Sequence, residues 1–204
     1  MSPELAAHPI RCRCGAVKGE VRDPKHGTRA VCYCRDCQAF ARFLDSPPGM
    51  MDALHGTDIV AVRPRFVSFS SGLQNLACMS LSPSGTLRWY ATCCRTPIGN
   101  TPRDRKVSHV GLVHSCLGAS QTAIEDAFGP IRMRVNVQSA AGAVPANAPL
   151  SFAAAIARYL VSMAWTRLSG GYRVNPFFVP ATGMPIVEPQ VVSKERRAML
   201  RGDA

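Results

Sequence analysis

The chain has 204 residues, of which 47% are hydrophobic and 18% charged, as expected of a globular protein that can bury a core. Its 24 Lys and Arg against 13 Asp and Glu give a net charge of +11, but no basic stripe interleaved with aromatics is present, which argues against nucleic acid as the partner. The N-terminal residues lack the apolar segment of a signal peptide and no apolar run could span a membrane, so we expect a cytoplasmic protein without membrane contact.

Short β-branched and aromatic runs divided by turn residues predict antiparallel strands in the first half of the chain. Residues 1–9 are predicted to be a loose arm, and a short helix is predicted to end near Leu44. The predicted strands cover residues 16–21, 28–33, 58–62, 65–70, 73–82, 87–91 and 108–115. We therefore predict a mainly β, α+β protein with one domain over residues 10–116.

Residues 117–204 are predicted to form a helical and irregular extension packed on that domain. A capping box at 122–125 predicts a short helix that ends at Gly129, and Ser151 is the predicted cap of a longer helix. The longer helix carries an apolar stripe that we expect to pack on the β core, made of Phe152, Ala155, Ile156, Tyr159, Leu160 and Met163. The extension could cover a site or form a homodimer contact, and both remain open.

Nine cysteines in a reducing compartment favour metal ligation over disulfides. Cys32, Cys34 and Cys37 form a C-x-C-x-x-C run whose three sulfurs can bind one zinc ion and leave its fourth position for water or a substrate thiol. A helix that begins there would point N–H groups at the thiolates and favour their deprotonation. The alternatives are a closed zinc site with a remote fourth ligand, or three thiols without metal.

Three cysteine groups occur in a specific order: C-x-C-G at 12–15, C-x-C-x-x-C at 32–37, and Cys94-Arg95-Thr96-Pro97. Over roughly residues 10–113 this order resembles the family of glutathione-dependent formaldehyde-activating enzymes and centromere protein V. The resemblance implies an antiparallel β-tent zinc-binding fold with one structural zinc and one catalytic zinc. Matched by position, Cys32, Cys34 and Cys37 would hold the catalytic zinc, and Cys12, Cys14 and Cys94 would hold the structural one.

The fourth structural ligand departs from the family pattern, because Ala91 stands where the family has cysteine and Cys93 is present instead. Adjacent side chains of an extended chain point in opposite directions, so Cys93 and Cys94 reach one metal only across a kinked peptide. A turn before Pro97 could supply that kink. Otherwise the second site is weakened or lost.

The resemblance implies a zinc-dependent carbon–sulfur lyase-like protein that adds a small thiol such as glutathione reversibly to formaldehyde or a related aldehyde. The alternative is a non-catalytic, zinc-stabilised binding module with a basic surface. Cys78 is expected to be an inert core thiol, Cys116 has no partner at ligand spacing, and the histidines form no ligand set. Any catalysis is then expected to depend on the metal and its thiolates.

Overall fold

A computed structural model describes residues 6–118 and 120–203, and these residues form 11 β-strands and four α-helices. The strands are β1 (Ala7–Arg11), β2 (Lys18–Arg22), β3 (Thr28–Cys32), β4 (Thr57–Val62), β5 (Val67–Ser71), β6 (Leu76–Ser80), β7 (Leu87–Ala91), β8 (Pro97–Thr101), β9 (Val110–Val113), β10 (Ile131–Val135) and β11 (Gln190–Val191). The helices are α1 (Arg35–Phe43), α2 (Gln121–Phe128), α3 (Pro149–Leu168) and α4 (Lys194–Arg201). The prediction of a mainly β, α+β protein is confirmed.

The strands form two sheets. A three-stranded antiparallel sheet has the order β1-β2-β5, and an eight-stranded sheet has the order β10-β3-β4-β9-β8-β7-β6-β11. The inner pairs of the large sheet are antiparallel, whereas the edge strands β10 and β11 lie parallel to their neighbours. Both edge strands come from residues after position 117, so this part of the chain extends the same sheet.

Two hydrophobic cores flank the large sheet. On one face, Ile10 and Val21 of the small sheet share a core with Trp89 and Leu112 of the large one. On the other face, a core around Phe40 of α1 holds the helix against β6 and β7. Fully burying a side chain of this size contributes about 1.5–3 kcal/mol to stability, so the small sheet and α1 are both firmly packed on the large sheet.

Two predicted helix starts were wrong. Ser120, in an extended conformation, caps α2 because its Oγ accepts a hydrogen bond from the Ala123 N–H, so the predicted box at 122–125 lies inside the helix. The predicted end at Gly129 is confirmed. The long helix begins at Pro149, where a missing N–H costs nothing, and Ser151 therefore lies inside α3 rather than at its cap.

The predicted apolar stripe of α3 packs only in part. Ala155 is buried and Tyr159 is half-buried with its ring against His109, but Leu160 is 57% exposed. The prediction of a loose arm over residues 1–9 was also wrong in part, because residues 7–9 belong to β1. Residues 1–5 lie outside the described residues. Among the residues that the structure describes, no helix is both long and apolar enough to cross a bilayer.

Candidate metal centres

Four cysteines from two turns that are distant in sequence lie close together. Cys12 and Cys14 lie between β1 and β2, Cys93 and Cys94 lie between β7 and β8, and all four Sγ atoms are within 4.8 Å of one another. Cys93 Sγ lies 3.3 Å from Cys14 Sγ and 3.8 Å from Cys12 Sγ. Sulfurs around a tetrahedral zinc, with Zn–S bonds of about 2.3 Å, are separated by about 3.8 Å. This group could therefore hold a metal ion with four protein ligands.

The turn before Pro97 explains how two adjacent cysteines face one point. Residues 92–94 form a tight turn, closed by a 2.9 Å hydrogen bond from the Ala91 N–H to the Thr96 carbonyl. Arg95 follows in the left-handed region with φ of 55°. Because the chain is not extended here, successive side chains need not alternate, and Cys93 and Cys94 converge.

Hydrogen bonds affect the cysteines of this group unequally. Burial opposes ionisation of Cys94, but its hydrogen bond with Thr96 Oγ1 contributes to lowering its pKa to about 6. The Val17 N–H lies 3.2 Å from Cys12 Sγ and donates to it. Desolvation, followed by hydrogen bonds with the other three cysteines, raises the pKa of Cys93. Because thiolates rather than thiols bind metals, a bound cation would have to displace the Cys93 proton, whereas Cys94 ionises readily.

The second group contains the three cysteines of the C-x-C-x-x-C run. Cys32 ends β3, Cys34 caps the N-terminus of α1, and Cys37 lies in the first turn of that helix. Their Sγ atoms lie within 4.8 Å of one another, and the Cys37 N–H donates to Cys34 Sγ at 3.3 Å. The predicted helix therefore begins at the cysteines and points an N–H group at one sulfur, as expected from the sequence.

The three sulfurs compete for protons. Hydrogen bonds from Cys34 and Cys37 lower the pKa of Cys32 to about 2, despite partial burial. The hydrogen bonds with Cys32 raise the pKa values of Cys34 and Cys37. Ionisation of Cys32 is therefore favoured over that of its two neighbours, and a bound cation would release the protons that remain.

Two polar side chains that sequence reasoning missed contact this group. Arg88 of β7 is only 4% exposed, and its Nη1 lies 3.9 Å from Cys37 Sγ and 3.2 Å from Asn100 Oδ1. Asn136, after β10, donates from Nδ2 to Cys32 Sγ at 3.5 Å. An arginine inside an otherwise apolar strand was the available signal, because a buried charge requires a partner.

Other candidate residues lie outside both groups. Cys78 and Cys116 are 2% and 0% exposed, and burial raises the pKa of each to about 12, so both are protonated core thiols. Burial also lowers the pKa of His109 to about 4, which leaves it neutral at physiological pH. His114 contacts the backbone carbonyl of Asp58.

Comparison with known families places this arrangement in context. The model of the Family of unknown function (DUF6151) matches residues 5–189. The chain belongs to this family. Both cysteine groups of this DUF6151 protein fall within the matched residues. A crystal structure of a Rhodobacter sphaeroides protein is similar at 18% sequence identity and a TM-score of 0.40, covering 62% of this chain and 99% of that one. No curated protein matches the chain.

Helix α4 of this DUF6151 protein lies beyond the matched residues, yet it holds the helix that carries Cys37. Arg201 Nε lies 2.8 Å from Asp36 Oδ1, and Arg42 Nη1 donates to the Leu200 carbonyl at 2.5 Å. The Leu200 side chain is 5% exposed and belongs to the core around α1. The C-terminal helix therefore holds α1 in place and, through α1, positions Cys37 of the three-cysteine group.

We expect Leu200→Ala to loosen the three-cysteine group. Removing this buried side chain should cost about 2–5 kcal/mol and free α1 to move. In protein loaded with two equivalents of metal, release to a chromogenic chelator should become faster for about one equivalent, while the other should be released at the wild-type rate. Met199→Ala is the matched control, because Met199 is 55% exposed on the same helix. Unchanged release kinetics in Leu200→Ala would show that α4 does not support the group.

Proposed function

We propose that this protein is a zinc-dependent carbon–sulfur lyase-like protein that binds a small thiol such as glutathione and handles its adduct with formaldehyde or a related aldehyde. The observation that carries this proposal is the group of Cys32, Cys34 and Cys37. Among the described residues, no fourth Cys, His, Asp or Glu has a ligand atom within 4.8 Å of all three sulfurs. Three protein ligands around a tetrahedral ion leave one position for a substrate.

The surrounding residues suit a thiol-binding role. Zinc in this site would lower the pKa of a bound thiol and keep its sulfur nucleophilic. Three thiolates and a divalent cation have a net charge of −1, and the guanidinium of Arg88 partly offsets it from 3.9 Å. Asn136 and the Cys37 N–H donate to two of the sulfurs and fix their orientation.

The proposed reaction needs no oxidant or reductant. The thiol sulfur forms a bond to the aldehyde carbon, the carbonyl π electrons move to oxygen, and the proton lost by the thiol is transferred to that oxygen. The product is a hydroxymethyl thioether, and the reverse sequence cleaves the carbon–sulfur bond. The chain holds the sulfur and limits the positions it can adopt, which is how positioning accelerates such an addition.

We further propose a structural zinc at Cys12, Cys14, Cys93 and Cys94 and a β-tent arrangement of the two sheets. Four of the Sγ–Sγ distances within this group lie between 3.3 and 3.8 Å, which suits a closed tetrahedral site. The cysteines connect a turn of the small sheet with a turn of the large one. A metal bound by these cysteines would link the two sheets, and the position of the group between the sheets supports both proposals.

Cobalt substitution tests whether the three-cysteine site is open. Co²⁺ bound by thiolates has visible bands that change when a new ligand binds. We expect glutathione to shift these bands in a saturable manner and S-methylglutathione, which has no free thiol, to leave them unchanged. If both compounds fail to alter the spectrum of the two-cobalt protein, the site is closed and the lyase proposal is wrong.

The net charge of +11 favours a second candidate, the non-catalytic binding module with a basic surface. In that case both metals serve stability alone. The two candidates differ in the cobalt experiment and in turnover, since a binding module should show no thiol-dependent consumption of formaldehyde above the uncatalysed rate.

A further inference from the structure

The outward face of α3 is apolar along the whole length of the helix. Its inward face packs on the rest of the chain through buried Ala155 and Thr166 and half-buried Tyr159. The six residues of the outward face are all exposed, and we call them the α3 strip: Leu150, Ala154, Ala157, Val161, Ala164 and Leu168. Leu150 and Leu168, at its two ends, are 87% and 83% exposed. A helix that is apolar on all sides is normally buried, so the α3 strip is a surface that a partner should cover.

The α3 strip has the spacing of a coiled-coil seam. Its members are separated by 4, 3, 4, 3 and 4 positions. On a helix that turns by about 100° per residue, this spacing keeps them within about 40° of one line. The charged residues of α3 are Arg158 and Arg167. Arg158 is turned toward the domain, because its Nη2 donates to the Lys25 and Gly27 carbonyls at 3.4 and 3.2 Å. The strip itself carries no charge that would repel an apolar partner.

The α3 strip is almost the same when it is read in either direction. It runs Leu-Ala-Ala-Val-Ala-Leu from its N-terminal end and Leu-Ala-Val-Ala-Ala-Leu from its C-terminal end. Two antiparallel copies related by a two-fold axis would therefore pair Leu150 with the second copy's Leu168 at each end. Near the axis, Ala157 would meet the second copy's Val161. Crossing helices are closest at the crossing point and diverge toward their ends, so small central residues and terminal leucines fit this arrangement.

We propose that the α3 strip is the contact surface between two copies of this chain, which pair antiparallel about a two-fold axis near the middle of α3. The helix has 20 residues and the strip is about 30 Å long, so the contact is smaller than the standard interface of about 1,600 Å² and should dissociate on dilution. A helix that lies on a membrane usually exposes Lys and Arg along its polar face, whereas the inward face of α3 packs on the protein. This surface is independent of the proposed thiol chemistry.

Analytical ultracentrifugation of the full metal-loaded chain tests the proposal. We expect a monomer–dimer equilibrium that shifts toward the dimer as salt is raised, because chains with a net charge of +11 repel each other less when screened. Val161→Glu should weaken dimerisation at least about thirtyfold, since the new carboxylate would be buried near the axis without a partner. Val161 is 69% exposed in the single chain, so the variant should fold. Arg167→Gln is the matched control, because it makes the same change of net charge at an exposed position outside the strip.

Two double variants test the antiparallel pairing. In an antiparallel dimer, Leu150→Glu/Leu168→Lys places opposite charges against each other at both ends of the contact. Leu150→Glu/Leu168→Glu places like charges there, and we expect it to dimerise at least about tenfold more weakly than the first variant. A parallel dimer would oppose like charges in both variants, so equal dissociation constants would overturn this pairing.

Trp165 reports on the contact independently. It is 62% exposed beside the strip, and Trp89, the other tryptophan of the chain, is fully buried. Dimer formation should therefore shift tryptophan emission to shorter wavelengths. A chain that stays monomeric up to about 100 μM, or wild-type dimerisation in Val161→Glu, would overturn the proposal. Binding of the monomer to vesicles of phosphatidylcholine and phosphatidylserine in equal parts, in place of dimerisation, would also overturn it and assign the strip to a lipid surface.

Discussion

Replacing Cys34 with serine should remove about one metal equivalent and reduce thiol-dependent formaldehyde turnover more than about a hundredfold. Loss of a residue that only supports a metal ligand already lowers metal affinity or activity by about 10–100-fold, and loss of the ligand itself should lower them at least as much. The fold should remain intact, because serine is a favoured helix cap and its Oγ can still accept from the Cys37 N–H. The melting temperature should move by less than about 4 °C, which corresponds to about 1 kcal/mol.

Elemental analysis, thermal unfolding and turnover should be measured on one preparation of Cys34→Ser. Cys116→Ser is the matched control: this buried thiol donates to the Ile98 carbonyl at 3.3 Å, serine preserves that donor, and Cys116 lies outside both groups. It should retain the full metal content. A Cys34→Ser protein that unfolds, or that keeps all its metal and activity, would rule out an open catalytic site and favour the binding module.

Replacing Cys12 with serine should have the largest effect on stability. Cys12 is fully buried and belongs to the group that joins the turn between β1 and β2 to the turn between β7 and β8. A metal here closes a long loop and binds only the folded chain, so its loss should lower the free energy of unfolding by about 4 kcal/mol or more. Denaturant unfolding together with zinc analysis measures this.

Chelation separates the metal from the side chain in this experiment. When zinc is removed from both proteins, Cys12→Ser and the wild type should differ by only about 1 kcal/mol, the worth of one hydrogen bond such as that from the Val17 N–H. If the difference persists after chelation, or if the variant retains two metal equivalents, Cys12 stabilises the fold by packing and is not a ligand.

The three-cysteine group was predictable because its geometry is local. Cys32, Cys34 and Cys37 lie within six positions at the junction of a strand and a helix. The strand over 28–33 and the helix that ends near Leu44 were both predicted from local patterns. The convergence of Cys93 with Cys94 required only a turn before Pro97. Short-range backbone geometry decides these contacts, so residue spacing carries most of the information.

Contacts between distant parts of the chain were not predictable. Arg88 lies 51 positions from Cys37 in the sequence, and Asn136 lies 104 positions from Cys32. Helix α4 contacts Asp36, beside Cys37, from more than 150 positions away. No local pattern links these residues. Strand β8 was missed because Pro97 and Gly99 weaken the usual strand signal. Strand β10 was missed because its pairing with β3 is parallel and depends on residues a hundred positions away.

By itself, the amino-acid sequence determined a mainly β protein and the three-cysteine group, because strand alternation, turn residues and ligand spacing act over a few residues. The meeting of Cys12 and Cys14 with Cys93 and Cys94, about 80 positions away, was implied only by the family resemblance. Only the tertiary structure decided that Arg88 lies beside Cys37 and that α4 supports α1. These contacts follow from how the sheets and helices pack, and packing depends on the shape of the whole molecule rather than on neighbouring residues.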